Sequence, residues 1–247
     1  MAGHSKWANI KHRKSRSDAK KGKLFSQILK EIYSSVRQGG NDPKVNGRLR
    51  LALHRARAAN IPNETIQRSL KRAETSQEEM HEVCYEVYGF GGVGIICSGS
   101  TENRNRSASF IRGAVSAKGG TMASPNSVLF NFSQKGVLTL PSQGVDFDAL
   151  FFLVSEWGAE DVIEEGESIF VLVTPDRLGF FVDQLMGRQV TLSHFELSWI
   201  PNCEVVCSPE QEALNDKLID ALDAIDDLDQ VVHNMKSSEA VPPSPLL

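Results

Sequence analysis

The sequence predicts an α+β protein, with a basic N-terminal domain of three helices followed by two ferredoxin-like α+β domains, the last inserted into the second. Three observations predict it. Apolar residues recur at helical spacing through the first seventy-odd positions and at strand spacing after them. Beyond residue 135, strand and helix patterns alternate in the order of a β-α-β-α-β layer. The charge is also divided. Residues 1–75 hold 18 Lys and Arg against 5 Asp and Glu, a net of +13, within a chain whose total is −4. The remainder holds 9 basic and 26 acidic residues, a net of −17. A uniformly solvated surface does not separate charge in this way, so the N-terminal end is expected to meet a polyanion.

The elements follow in order. Residues 1–17 have no sustained apolar periodicity and are dense in small, polar and basic side chains. From Asp18, read as an N-cap, Leu24, Phe25, Ile28, Leu29, Ile32 and Val36 keep helical spacing until Gly39-Gly40. A second helix is expected after Asp42-Pro43, with Val45, Leu49, Ala52, Leu53 and Ala56 as its apolar stripe. Asn60-Ile61-Pro62 breaks it, and Ile66, Leu70 and Ala73 mark a third. Residues 80–88 and 93–97 read as a hairpin around Gly89-Phe90-Gly91-Gly92, and 103–118 as a helix stopped by Gly119-Gly120. Residues 128–132 read as a strand. Within 136–200 the pattern gives strand 137–140, a helix near 146–157, strand 168–173, a helix near 176–187 and a strand around 191–199. A short strand at 205–206, an amphipathic helix over 209–225 and a last strand at 228–233 complete the pattern.

A compact topology pairs the segments on either side of the middle unit. The expected division is 1–77 for the helical domain, 78–134 with 204–238 for a split domain, 135–203 for the insertion, and a disordered tail at 239–247. At 247 residues, 40% of them apolar, the chain can bury a substantial core. No apolar run approaches the ~20 residues that cross a bilayer, and the start lacks the apolar stretch of a signal peptide. Cys84, Cys97, Cys203 and Cys207 are too few and too scattered for a disulfide scaffold. The C-x3-C pair at 203 and 207 has no second Cys or His pair to complete a zinc site. The expectation is a cytoplasmic protein with reduced thiols, no cofactor, no metal, no membrane partner and no small-molecule substrate.

The basic N-terminal run is the strongest chemical signal. His4, Lys6, Trp7, Lys11, His12, Arg13, Lys14 and Arg16 interleave cations with aromatic rings, and Lys20, Lys21, Lys23, Arg48 and Arg50 carry the charge onward. Lys and Arg meet phosphate oxygens and release condensed counterions, while Trp and His stack on unpaired bases. Asn103-Arg104-Asn105-Arg106 opens the helix of the split domain. Arg104, Arg106, Arg112 and Lys118, four of the nine basic residues after position 75, read as a second phosphate contact aided by a helix N-terminus; alternatively Arg104, at the edge of the apolar side, pairs with an acidic neighbour to hold the fold. Gly89-Phe90-Gly91-Gly92-Val93-Gly94 formally matches G-x-G-x-x-G, but its glycines run into a β-type segment instead of opening a helix, so it is read as a hairpin turn. His81-Glu82 lacks the second histidine of a zinc-protease motif. The acidic stretch 160–167 lacks calcium-loop spacing and is read as a solvated connection. No catalytic constellation stands out.

Residues 1–14, Met-Ala-Gly-His-Ser-Lys-Trp-Ala-Asn-Ile-Lys-His-Arg-Lys, resemble the signature start of the YebC/PmpR family. The likeness continues through Gly39-Gly40-Asn41-Asp42-Pro43, Arg48-Leu49-Arg50, Tyr88-Gly89, Asn103-Arg104-Asn105-Arg106, Gly158-Ala159-Glu160-Asp161 and Leu218-Ile219-Asp220. The resemblance implies three domains, the last inserted, and a non-enzymatic regulator of gene expression. Family members are described as DNA-binding transcriptional regulators, others as ribosome-associated translation factors. The implied partner is therefore promoter DNA or, alternatively, ribosomal or transfer RNA. Phe90 stands where the family usually has Pro, Glu102 where Asp is usual, Gly47 where Pro is common and Asn126 where Gly is common. The first is expected to loosen the turn beside Gly91.

Overall fold

The structure, a computed structural model, describes residues 21–76 and 80–236. The basic run 1–17, the Asp18 cap and the tail at 239–247 lie outside them. Internal packing divides the chain into two compact units, one built on the residues up to Lys23 with Glu78–Ser133 and Trp199–Leu247, the other on Leu24–Gln77 with Gln134–Ser198, so the boundary falls within the first helix.

The second unit begins with three helices, α1 (Lys21–Gly39), α2 (Gly47–Ala58) and α3 (Asn63–Thr75). Ile28, Ile32 and Val36 of α1, Leu49, Ala52 and Ala56 of α2, and Ile66 and Ala73 of α3 are buried, as their spacing predicts. Asn46 is the N-cap of α2 and also binds the end of α1. Its Oδ1 accepts from Leu49 N at 3.0 Å, while Nδ2 donates to Ser35 O at 2.7 Å and Gly40 O at 2.8 Å. Val45 is not part of the α2 stripe. It precedes the cap in a turn over residues 43–45 and is 82% exposed. The cap at Asn46 starts the helix four residues after Asp42, which leaves Val45 off its buried face.

The first unit starts with the hairpin β1 (His81–Tyr88) and β2 (Gly94–Thr101), joined through a 3-10 turn at Phe90–Gly92. Helix α4 (Arg104–Ala117) and the short β3 (Thr121–Met122) follow. The strand expected at 128–132 is instead a 3-10 turn at Leu129–Asn131, and β4 (Phe132–Pro141) begins only after it. Glu86 gives the reason. Its carboxylate is buried and accepts from the backbone N–H groups of Asn126, Val128 (2.7 Å) and Leu129 (2.8 Å), so these donors serve a carboxylate and not a ladder. Asn126 adopts φ +64°, the left-handed conformation that glycine takes most easily and asparagine next.

The second unit resumes within β4 and continues with α5 (Phe147–Glu156), β5 (Asp161–Glu165), β6 (Ser168–Val173), α6 (Leu178–Gly187) and β7 (His194–Pro201). Its sheet order is β5-β6-β4-β7, which is the ferredoxin-like arrangement. Leu138, Leu140, Ile169, Val171, Phe181, Val182 and Leu185 form its core, with Leu51 of α2 packed against them. The acidic stretch read as a solvated connection is in fact β5, paired in register with β6. Val162 and Ile163 supply β-forming side chains, and the flanking carboxylates fit an edge strand that must not recruit another. The chain then returns to the first unit through β8 (Val205–Val206), α7 (Pro209–Asp223), β9 (Leu228–His233) and β10 (Met235–Lys236). Strand β9 pairs antiparallel with β2, giving the order β3-β1-β2-β9. Both sheets are α+β, but this one starts from a hairpin where the other has strand, helix, strand.

The turn at residues 89–93 is held from α7. Fully buried Asn215 pairs with the backbone of Phe90, accepting from its N–H at 2.8 Å and donating to its carbonyl at 3.1 Å. Phe90 therefore does not loosen the turn. It brings an N–H that proline lacks. A Cβ at Gly89 would lie 2.3 Å from Asn215 Oδ1, so glycine is required there by contact.

Two tests arise from this packing. Glu86→Gln keeps the shape but removes the charge and one accepting oxygen, leaving a buried N–H unpaired. It should lower stability by about 2 kcal/mol in urea unfolding; an unchanged midpoint would refute the role given to Glu86. His54 on α2 has its pKa lowered from 6.5 by burial first, then by Arg57 and Arg50, against an upward pull from Asp183. A histidine whose folded pKa is depressed contributes stability that is present above pH 6.5 and lost as pH falls through the folded value. His54→Gln should accordingly flatten the acid side of the stability profile below pH 6.5 while leaving neutral stability nearly unchanged.

Candidate nucleic-acid interface

His4, Lys6, Trp7, Lys11, His12, Arg13, Lys14, Arg16 and Lys20 lie outside the described residues, as does the side chain of Lys21. The remaining candidates divide between the two units. Lys23 Nζ donates to the backbone carbonyls of Asp223 and, at 3.2 Å, of Ile225. These are carbonyls at the end of α7, where a helix carries partial negative charge. Lys23 thus has an intramolecular role.

The arginines of α2 are also partly engaged. Arg50 reaches Asp183 of α6 at 3.1 Å and the Pro43 carbonyl at 3.3 Å, with its charge half-exposed. Arg55 pairs with Glu31 of α1. Arg48 is exposed and donates to Gln38 Oε1 at 2.8 Å. Arg37, Lys44 and Arg57 are exposed as well. The helices therefore present cations to solvent, but fewer than the sequence count suggests.

In the first unit the sequence places Arg104 and Arg106 at the start of α4, and Asn103 makes that start. Asn103 Oδ1 accepts from Asn105 N at 3.1 Å and Arg106 N at 3.0 Å, an N-cap of ordinary geometry. The two arginines then diverge. Arg106 pairs with Asp227 at 3.5 Å. The same carboxylate accepts from Ser107 Oγ at 2.5 Å and Thr101 Oγ1 at 3.3 Å. The fold-holding pairing that the sequence offers as one of two readings for Arg104 is made by Arg106. Arg104 is exposed, and its guanidinium makes no ion pair among the described residues. Its backbone carbonyl accepts from Tyr85 Oη at 3.2 Å. Burial raises the Tyr85 pKa, with Asp227 pushing the same way, against the downward pull of Arg112 and then Arg104. Arg112 is exposed too. Tyr85 was not among the sequence candidates. Its place in β1 fits core alternation, and nothing local marks it as the neighbour of two cations.

The described residues contain no group of three or more His, Cys, Asp or Glu side chains that could hold a metal ion. No described helix is long and apolar enough to cross a membrane. All four cysteines are free, and burial pushes the thiols of Cys84, Cys97 and Cys207 up, away from the reactive thiolate.

Comparison with known proteins completes the description. The chain is 48% identical to a "probable transcriptional regulatory protein" of Chlamydia muridarum over 95% of its own length and 100% of that protein's. It is 48% identical to another so named in Protochlamydia amoebophila, over 97% and 98% of the two chains. Among solved structures it resembles a conserved hypothetical protein of Aquifex aeolicus, with a TM-score of 0.82 and 33% identity, covering 93% of this chain and 94% of that one. Residues 5–76 match the TACO1/YebC protein N-terminal domain, and residues 80–235 match the TACO1/YebC second and third domain. With nearly its whole length matched, this chain belongs to the TACO1/YebC family.

Proposed function

We propose that this protein is a non-enzymatic regulator of gene expression that acts in the cytoplasm and binds nucleic acid through its basic N-terminal segment. The observation that carries the proposal is the charge division, +13 over residues 1–75 against −17 over the rest. A segment of that charge is attracted to phosphate from a distance and gains affinity by releasing counterions. In this reading residues 1–77 are the binding domain. Residues 78–134 with 204–238, and the inserted 135–203, form an acidic body that keeps the complex soluble. His4, Lys6, Trp7, Lys11, His12, Arg13, Lys14, Arg16, Lys20, Lys21, Arg48 and Arg104 supply contacts. Lys23, Arg50 and Arg106 position the scaffold around them.

The names of the relatives favour duplex DNA at promoters as the partner. A second reading, ribosomal or transfer RNA, is favoured by a different observation. Arg50 and Arg55 of α2 are engaged with Asp183 and Glu31, so this helix does not offer a free row of base-reading side chains for a major groove. Trp7, His4 and His12 among the cations instead suit stacking on unpaired bases.

Crosslinking in cells followed by sequencing of the recovered nucleic acid separates the two, promoter DNA supporting the first and ribosomal or transfer RNA the second. In vitro, the triple substitution of Lys11, Arg13 and Lys14 by Ala should reduce the slope of log affinity against log salt by about 2 to 3. An unchanged slope and affinity in that variant would overturn the proposal for this segment.

A further inference from the structure

We infer that the side of α4 next to β1 is a second phosphate-binding surface, in which Arg104 and Arg112, beside the Tyr85 hydroxyl, take backbone phosphates of the nucleic acid that the N-terminal segment grips. The inference rests on the nucleic-acid reading above and adds a surface in a part of the protein that is otherwise acidic.

The distribution of charge points to it first. Residues 80–133 and 199–236 hold six basic side chains against twelve acidic ones, and four of the six stand between positions 104 and 118. Helix α4 itself, Arg-Asn-Arg-Ser-Ala-Ser-Phe-Ile-Arg-Gly-Ala-Val-Ser-Ala, has no acidic residue at all. A helix that only needed solubility in an acidic domain would carry both signs, with Glu toward its N-terminus.

The second point is which cations are left over. Two acidic groups stand at the start of α4, exposed Glu102 just before the cap and Asp227, only 14% of whose side chain is exposed. Thr101, Ser107 and Arg106 occupy it. Arg106 thus balances Asp227 and pins the first turn of the helix. Arg104 and Arg112 remain exposed, with no ion pair among the described residues. They lie two turns apart along one side of α4, and both sense Tyr85. Tyr85 donates to the Arg104 carbonyl, which fixes the phenol against the helix end. Two unspent guanidinium groups on a rigid helix, beside a phenol that anchors the helix start, fit a run of phosphodiesters. A lone anion would need a closed pocket, and both arginines are open to solvent.

The test is salt-dependent binding of the full-length protein to a mixed-sequence DNA duplex and to a structured RNA. Replacing both Arg104 and Arg112 by Ala should reduce the slope of log affinity against log salt by about 2 on the bound probe. Replacing both by Lys should restore it, because a point charge suffices for a phosphate. The charge-matched Lys217→Ala, Lys236→Ala variant should bind as wild type does. Both arginines are exposed, so thermal unfolding should shift little, and that measurement confirms the fold of each variant. A wild-type slope in the double Ala variant, beside a reduced slope in the Lys11, Arg13, Lys14 variant, would overturn this inference alone. An equal loss in the Lys217, Lys236 variant would overturn it by showing a generic charge effect. Failure of the wild-type protein to bind either probe would overturn this inference and the functional reading together.

Discussion

The ladder between β2 and β9 is the interaction on which the first unit depends. Its two chain segments are separated by all of Gln134–Ser198, so the pairing must hold across a long intervening stretch. Loop closure itself is not the main difficulty, since its entropic cost grows only with the logarithm of loop length. Register is harder, because a slip of one residue would turn every core side chain outward. Polar groups fix it at both ends. Buried Asn234 accepts from Gly94 N at 2.8 Å, and its own N–H returns to Gly94 O at 3.2 Å. At the other end the ladder shifts register between Ser98 and Gly99, where a Cβ on Gly99 would lie 2.1 Å from the Asp227 carbonyl. That close approach brings Asp227 to Thr101, Ser107 and Arg106. The same bulge that ends the ladder therefore sets the first turn of α4.

Helix α7 reinforces the closure from outside the sheet. Its capping box at Ser208 and Gln211 fixes where the helix starts. One turn further on, Asn215 meets the backbone of Phe90 as another peptide group would. Leu218, Ile219 and Leu222 bury the remainder of that face against Val87, Ile95 and Val115. Each polar key joins residues more than a hundred positions apart, and each is buried or partly so, where an unmade bond costs more than a made one gains. Cooperativity between hairpin and returning helix follows from that asymmetry.

Periodicity revealed most of this architecture because the elements are amphipathic in the ordinary way. Ile28, Ile32 and Val36, or Leu218 and Leu222, bury where helical spacing puts them. Two failures had a common cause. Residues 128–132 have the composition of a strand, but a carboxylate forty positions earlier captures their N–H groups, and no local pattern announces a partner at that distance. Asp161–Glu165 has the composition of a solvated loop, yet it is a strand because the neighbouring β6 offers a free ladder edge. Tertiary hydrogen bonding overrode propensity in opposite directions at the two places. The hairpin at Gly89 was legible because glycines followed by alternation need no distant information, although the demand of Asn215 for that glycine was not.

The candidate site was legible as charge and much less so as geometry. Counting Lys and Arg locates the basic region, but a count treats every cation as available. In the structure Lys23 serves the carbonyls at the end of α7, Arg50 and Arg55 serve carboxylates of neighbouring helices, and Arg106 serves Asp227. A guanidinium held by a carboxylate contributes little field to an approaching phosphate, because the pair is close to neutral at any distance much larger than its own separation. Subtracting such pairs changes the ranking within Asn103-Arg104-Asn105-Arg106. Two arginines that look equivalent in sequence have different tasks, since position 106 reaches Asp227 while the guanidinium at position 104 makes no ion pair among the described residues. The exposed charge that survives subtraction, and not the gross composition, is what a polyanion meets.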